Sequence, residues 1–280
     1  KINMSAVNSI NWARVMFQIV YYFFITLQSE YYKKPLYKKK YKWLDFIPDV
    51  KEYIFSIPTG NFGNVYAGYI AKKKGLPIKK FLIATNKNDI LCRVINSGKY
   101  NPSKTKPSIS PSMDIQTASN FERLLYDAVG EDDAKVKSLM NKLKNQAGYS
   151  LNKKEMEYIK NFFCAYSCTD ETIKEYMKYS DDDAGYNGSI DPHTATAAFA
   201  ADRYVSDNKK DFDGIKNPLF CPIYILGTAD PCKFPETVQE VTGVKSQIPE
   251  SIKSILNKKE NFAKLDNNID VVKDYILEKI

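Results

Sequence analysis

Histidine is nearly absent: His193 is the only one in 280 residues. That argues against a Cys/His zinc site, and any histidine-dependent hydrolytic triad would have to use this one residue. Arginine is almost as scarce. Arg14, Arg93, Arg123 and Arg203 stand among 41 Lys+Arg, so lysine carries the net charge of +8. Bidentate recognition of bases and phosphates favours arginine, so the excess reads first as surface solvation, with nucleic-acid binding a distant alternative. The five cysteines (Cys92, Cys164, Cys168, Cys221, Cys232) form no CxxC pair. Free thiols in a reducing compartment are expected, hence a cytoplasmic protein. No signal-peptide pattern is visible. The longest apolar run, Val15 to Leu27, is interrupted by Gln18 and Thr26 and falls short of the about 20 residues a membrane helix needs. At 44% hydrophobic and 13% aromatic the composition is globular, with enough chain for one large domain or two modest ones.

The most informative stretch runs from Tyr53 to Gly75, YIFSIPTGNFGNVYAGYIAKKKG. An apolar run, Tyr53 to Ile57, turns at Pro58, Thr59 and Gly60 and enters an amphipathic segment from Val65. This predicts strand, glycine-containing loop and helix. Gly60, Asn61, Gly63 and Asn64 let the backbone curl so that successive N–H groups face one anion beside the positive end of a helix dipole. A phosphate suits that geometry best. The loop lacks both the Lys-Ser/Thr of the P-loop and the spacing of the dinucleotide fingerprint. An ordinary βα turn that needs glycine for its geometry would read the same way.

Upstream, Asn8 and Ser9 can cap a helix through Trp12, Val15, Met16, Ile19, Val20, Phe23 and Phe24, which is apolar nearly all round and so expected in the interior. Arg14 is out of place there: it calls either for a structural salt bridge or for an anion shared with Ser9. Tyr31 to Trp43 interleaves aromatics with lysines, a solvated loop before it is a single-strand nucleic-acid surface. Phe81 to Ala84 reads as a second strand in a βαβ crossover. Asp89 can start a helix, Tyr100 to Pro111 is expected as a mobile loop, and Asn120 can cap a helix through Leu124 and Val129. From Glu131 to about Tyr179 the pattern is helical, with no strand. Asp181, Asp182 and Asp183 form an acidic turn before they form a cation site. Asp191-Pro192-His193-Thr194 precedes a small-residue helix; His193 is either an acid–base group or a helix-start residue tied to a backbone group. Pro222 to Leu226 reads as a buried strand ending at Thr228, where ligands of parallel sheets sit, although a turn threonine would look alike.

Six stretches, NSINWAR (8–14), SIPTGNFGNVYAGYIAKKKGLPI (56–78), IATNKNDIL (83–91), SPSMDIQTASNFERLL (110–125), DPHTA (191–195) and GTADPCKFPE (227–236), together resemble the threonine synthases. These are pyridoxal-phosphate enzymes of the tryptophan-synthase-β fold type. The resemblance covers most of the chain outside 131–186. It implies an α/β three-layer sandwich with a mostly parallel sheet, the large domain of pyridoxal-phosphate fold type II. Residues 1–130 and 187–280 would form that domain and 131–186 a helical insertion. It implies that Gly60, Asn61, Phe62, Gly63 and Asn64 hold the cofactor phosphate. Thr228 would face the pyridine nitrogen and leave it largely unprotonated. Ser9 and Arg14 would take the phosphate of the substrate. The reaction implied converts O-phospho-L-homoserine and water to L-threonine and phosphate.

Two departures qualify this. The Schiff-base lysine should lie in a motif upstream of NSIN, and no such motif is present; Lys1 precedes the first matching stretch. The chain also begins without an initiator Met. It therefore reads as the carboxyl-terminal large-domain portion, inactive alone, whose partner would be the missing amino-terminal segment with its small domain. Neither metal nor membrane nor nucleic acid is expected as a partner. The second departure is Asp230, where the family commonly has His. The alternatives are a threonine-synthase-like phospho-lyase that gives a keto acid, and a non-catalytic remnant that binds phosphate or a partner.

Overall fold

The computed structural model describes residues 8–32, 52–145, 148–183, 190–212 and 221–279. The strands are β1 (Tyr53–Pro58), β2 (Ile78–Thr85), β3 (Lys99–Tyr100), β4 (Tyr149–Ser150), β5 (Phe163–Ser167) and β6 (Ile223–Ile225). The helices up to the sheet's last strand are α1 (Trp12–Tyr32), α2 (Gly63–Lys73), α3 (Ile90–Ser97), α4 (Phe121–Ala128), α5 (Asp133–Lys144), α6 (Lys153–Phe162), α7 (Asp170–Asp183), α8 (Pro192–Asp207) and α9 (Lys209–Phe212). After β6 come α10 (Pro235–Thr242), α11 (Glu250–Leu256) and α12 (Ile269–Glu278). Lys1–Ser246 form one compact unit and Gln247–Ile280, with α11 and α12, a second. Asn268 caps α12 by accepting from the amide of Asp270.

The main sheet runs β5-β2-β1-β6, and every pairing is parallel. Parallel neighbours need crossovers, and these place helices on both faces. Alternation along the strands divides the core accordingly. Phe55, Ile57, Phe81, Ile83 and Phe163 point into one cluster with Val15, Tyr22, Val65 and Tyr69 of α1 and α2. Ile54 and Leu82 meet Tyr204 of α8 on the other face, and Ala84 meets Ala197 and Ala200. The small residues of α8 let it lie close across the strands, and Ser56 Oγ donates to the Ala197 carbonyl at 2.6 Å. The three-layer α/β expectation is met.

Gly68 of α2 lies against the Tyr22 ring of α1. A Cβ there would lie 2.6 Å from the Tyr22 ring and 2.7 Å from the Phe81 ring. Alanine is the better helix former by about 1 kcal/mol, but overpacking a core costs about 1–3 kcal/mol. Packing should win: Gly68→Ala is expected to lower the urea midpoint, and an unchanged or raised midpoint would show that the rings yield freely.

Several expectations are corrected. α1 is not interior: Phe17 is 72% exposed, and Trp12, Met16, Val20, Tyr21, Phe24 and Leu27 are exposed as well. It packs on α2 through Val15 and Tyr22, because an all-round apolar pattern says that a helix can be covered, not by what. Its cap is Asn11, whose side chain accepts the Ala13 amide, while Asn8 closes the turn before it. Residues 131–186 are not strandless. Phe163–Ser167 follows α6 with no turn signal between them and forms an edge of the main sheet. The stretch Tyr100 to Pro111 is tied down by side chains. Asn88 Oδ1 accepts the Lys106 amide at 2.8 Å, and Asp114 accepts from Asn86, Asn88 and Ser108. β6 is half-buried rather than buried, since it forms the other edge. Residues 33–43 of the lysine–aromatic stretch lie outside the described residues. So does Gly185; Asp181–Asp183 end α7.

Candidate functional site

The loop after β1 is built from local turns and long-range staples. Thr59 donates its amide to Ala84 O at 2.8 Å and its hydroxyl to Ile57 O at 2.7 Å, which swings the chain off the sheet edge. Asn61 Oδ1 accepts the Ser119 amide and Phe62 N–H donates to Ser119 O. Tyr22 Oη donates to the carbonyl of Asn64 at 2.9 Å, tying α1 to the first turn of α2. The amides of Gly60, Asn61, Gly63 and Asn64 have no acceptor among the described residues. Two of them, Gly63 and Asn64, open α2, where the first amides of a helix lack internal partners and the dipole is positive.

A cavity of about 350 Å³ opens at this loop, at the lower end of the about 300–1,000 Å³ of small-molecule sites. Gly60, Asn61, Gly63 and Asn64 form one wall, and Ser9 and Arg14 from the start of α1 another. Thr228, exposed just beyond β6, closes a third side. The site thus lies at the carboxyl ends of β1 and β6, as parallel sheets place ligands. Seven of the eight residues singled out in the sequence meet here. The eighth, Phe62, does not. Its ring is fully buried against Phe121 and Phe163, and its amide is spent on Ser119.

Ser9 is placed by residues 110 positions away. Its hydroxyl lies 2.9 Å from Ser119 Oγ and its carbonyl accepts from Asn120 Nδ2. Arg123 donates to Ile10 O and lies over the Trp12 ring. Arg14 is exposed on the cavity side and has no ion pair among the described residues. Asp230 does not line the cavity. Its carboxylate caps the 3-10 turn Pro231–Lys233 by accepting the Cys232 amide at 2.9 Å, and hydrogen bonding from Cys232 holds it below the usual carboxylate range.

Sequence reading missed Lys233, Ser112 and Gln18 as parts of this wall; His193, offered as an acid–base group or a helix-start residue tied to a backbone group, also lines it. Lys233 is the single lysine lining it among the described residues and, like Arg14, has no ion pair there. The signal that could have found Lys233 is its place three residues after Asp230 in the GTADPCKFPE stretch. No metal-ligating cluster exists among the described residues, none of the five cysteines is in a disulfide, and no described helix is long and apolar enough to cross a membrane.

A doubly covered parallel sheet, with an amide-lined loop at the end of β1 and a threonine beyond β6, matches the expectation of a pyridoxal-phosphate fold type II large domain. The comparisons narrow this. A family model described as threonine synthase, C-terminal, matches residues 194–276. A threonine synthase from Pseudomonas aeruginosa is 34% identical over 276 residues, which is 97% of this chain and 52% of that protein. A pyridoxal-phosphate-bound threonine synthase from Brucella melitensis superposes with a TM-score of 0.79 at 37% identity, covering 98% of this chain and 52% of that one. The yeast enzyme superposes at 0.77 with 32% identity, covering 99% and 55%. The chain belongs to the threonine synthase family, and it spans about half the length of these relatives.

Proposed function

We propose that this chain is the cofactor-binding large-domain portion of a threonine synthase. The complete protein would convert O-phospho-L-homoserine and water to L-threonine and phosphate. The observation that carries this is the cavity itself: four amides and two cations without a partner among the described residues, and a hydroxyl, surround one space. Such a donor set suits two phosphate groups, one on pyridoxal phosphate and one on the substrate. Gly60 lets the loop approach the 112–113 backbone closely, since a Cβ there would lie 2.5 Å from Ser112 O.

In this reading the amides of Gly60, Asn61, Gly63 and Asn64 bind the cofactor phosphate, and Phe62 serves from the core side by fixing the loop. Thr228 presents a neutral hydroxyl to the pyridine nitrogen and so does not favour its protonation. Pyridoxal phosphate, when bound, would supply an electron sink for the substrate's Cα and Cβ while phosphate leaves Cγ. Arg14 and Ser9 hold the substrate phosphate and stabilise it as it departs. The Schiff-base lysine is assigned to a segment outside this chain, so the chain alone should bind phosphate compounds without turnover. Pyridoxal-phosphate chemistry on a chain with free cysteines fits a cytoplasmic location.

The test is product analysis on the protein that the complete gene encodes, supplied with pyridoxal phosphate and O-phospho-L-homoserine. Threonine and phosphate in equal amounts are expected. Phosphate with a keto acid would replace the reading with a phospho-lyase, and no turnover would leave a non-catalytic binder. Arg14→Ala should then raise KM about 10- to 100-fold, because a hydrogen bond to a charged group contributes about 1.5–3 kcal/mol. An unchanged KM would remove Arg14 from the substrate site.

A further inference from the structure

His193 is 3% exposed and Asp191 1% exposed, yet His193 forms part of the cavity wall. Its Nδ1 lies 2.9 Å from Asp191 Oδ1, and its Nε2 faces the Ser112 amide, which donates to it at 3.3 Å. An amide N–H can only donate and a carboxylate can only accept. Both contacts are met at once by a neutral imidazole with its proton on Nδ1. Asp191 cannot swing away, since it also accepts from the amide of His193 and the hydroxyl of Thr194 as the cap of α8. The Phe234 ring, 4.9 Å away, covers the imidazole. The far end of Ser112 bears on the anion loop: its carbonyl oxygen stands 2.5 Å from where a Cβ on Gly60 would be.

We propose that His193, oriented by Asp191, is a positioning residue that sets the Ser112 backbone against Gly60 and so fixes the width of the anion loop. The inference rests on the assignment of that loop to the cofactor phosphate. It gives His193 no proton transfer to substrate. It predicts that the site works only while the imidazole is neutral, because protonation would set an Nε2–H against the Ser112 N–H. The charged groups around the ring are Asp191 behind it and, on the same cavity, Lys233 and Arg14.

With one histidine in the chain, the ring can be read without ambiguity. Nitrogen NMR of the protein labelled with 15N-histidine should show a single neutral imidazole protonated at Nδ1. A proton on Nε2, or a cation at neutral pH, overturns the proposal. The second arm is the affinity for pyridoxal phosphate against pH. The ligand's own phosphate takes up its second proton at about pH 6, so every variant shares a shallow acid limb; wild-type affinity should fall more steeply than that. His193→Phe keeps a ring but no acceptor and should weaken binding about tenfold. His193→Gln can still offer an oxygen to the Ser112 amide and, with wild-type secondary structure, should bind within about threefold of wild type at neutral pH and keep only the shallow limb. Wild-type affinity in His193→Phe, or an acid limb as steep in His193→Gln as in wild type, overturns the positioning role. If the wild type binds no pyridoxal phosphate, the cofactor assignment fails and the role falls with it, while the NMR arm separately records whether the Asp191–His193–Ser112 arrangement stands.

Discussion

Gly60→Ala should reduce the affinity for pyridoxal phosphate by at least about tenfold and lower stability by about 1–3 kcal/mol. The added methyl would lie 2.5 Å from Ser112 O and 3.2 Å from Met113 Cα, both backbone atoms that no rotamer change can move. Neither neighbouring segment is free to retreat. The 110–113 turn is held by Asn86, which donates to Ser110 Oγ at 2.9 Å, and by the Ser112–His193 contact. The loop is held by Ser119 through Asn61 and Phe62. The displacement must therefore spread into the row of amides proposed to bind the cofactor phosphate. Titration with pyridoxal phosphate beside a urea melt checks both halves of the expectation. Lost stability with intact affinity would place the cofactor phosphate elsewhere.

Phe163→Ala should cost about 3–5 kcal/mol, the range for removing a buried phenyl ring. Phe163 is 1% exposed and begins β5, where its ring meets Phe62 at 5.8 Å, Tyr69 at 5.9 Å and Phe81 at 5.5 Å between centroids. Domains have only about 5–15 kcal/mol in total, so this one ring is a large fraction of what holds the unit together. The effect should also reach the site, because Phe62 lies between Asn61 and Gly63 and would lose a wall of its pocket. Phe163→Leu, which keeps most of the volume, is expected to cost under about half as much. Chemical denaturation of the pair is the measurement. Equal and small losses in both would mean that the aromatic cluster closes over the gap.

Much of the site was legible because its signals are local. The glycines and asparagines at 60–64 announce a curled backbone between a strand and a helix, and Asp191-Pro192 announces the start of a helix. These depend on φ/ψ preference and capping, which act over a few residues. Arg14 was conspicuous for a similar reason, a charge in an apolar run. The resemblance to the threonine synthases then grouped segments that no local rule connects.

What only the tertiary structure decided lies at long range. Nothing near Phe163 says that FCAYS pairs beside β2, because strand order depends on which faces find cover, not on the strand's own composition. Nothing in the sequence of α1 says that Val15 and Tyr22 turn inward while Phe17 and Phe24 face out. Lys233, Ser112 and His193 join Arg14 on one cavity although they stand about 100 to 220 positions from it, and Phe62, in the middle of the loop, turns into the core. By itself the sequence determined the strand, loop and helix at 53–73 and the helix start at Asp191, since those follow from residues in contact along the chain. The convergence of Arg14 and Lys233 on that loop, and the meeting of its one histidine with Ser112, came from packing, where the partners are chosen by shape and hydrogen-bond supply across the whole fold.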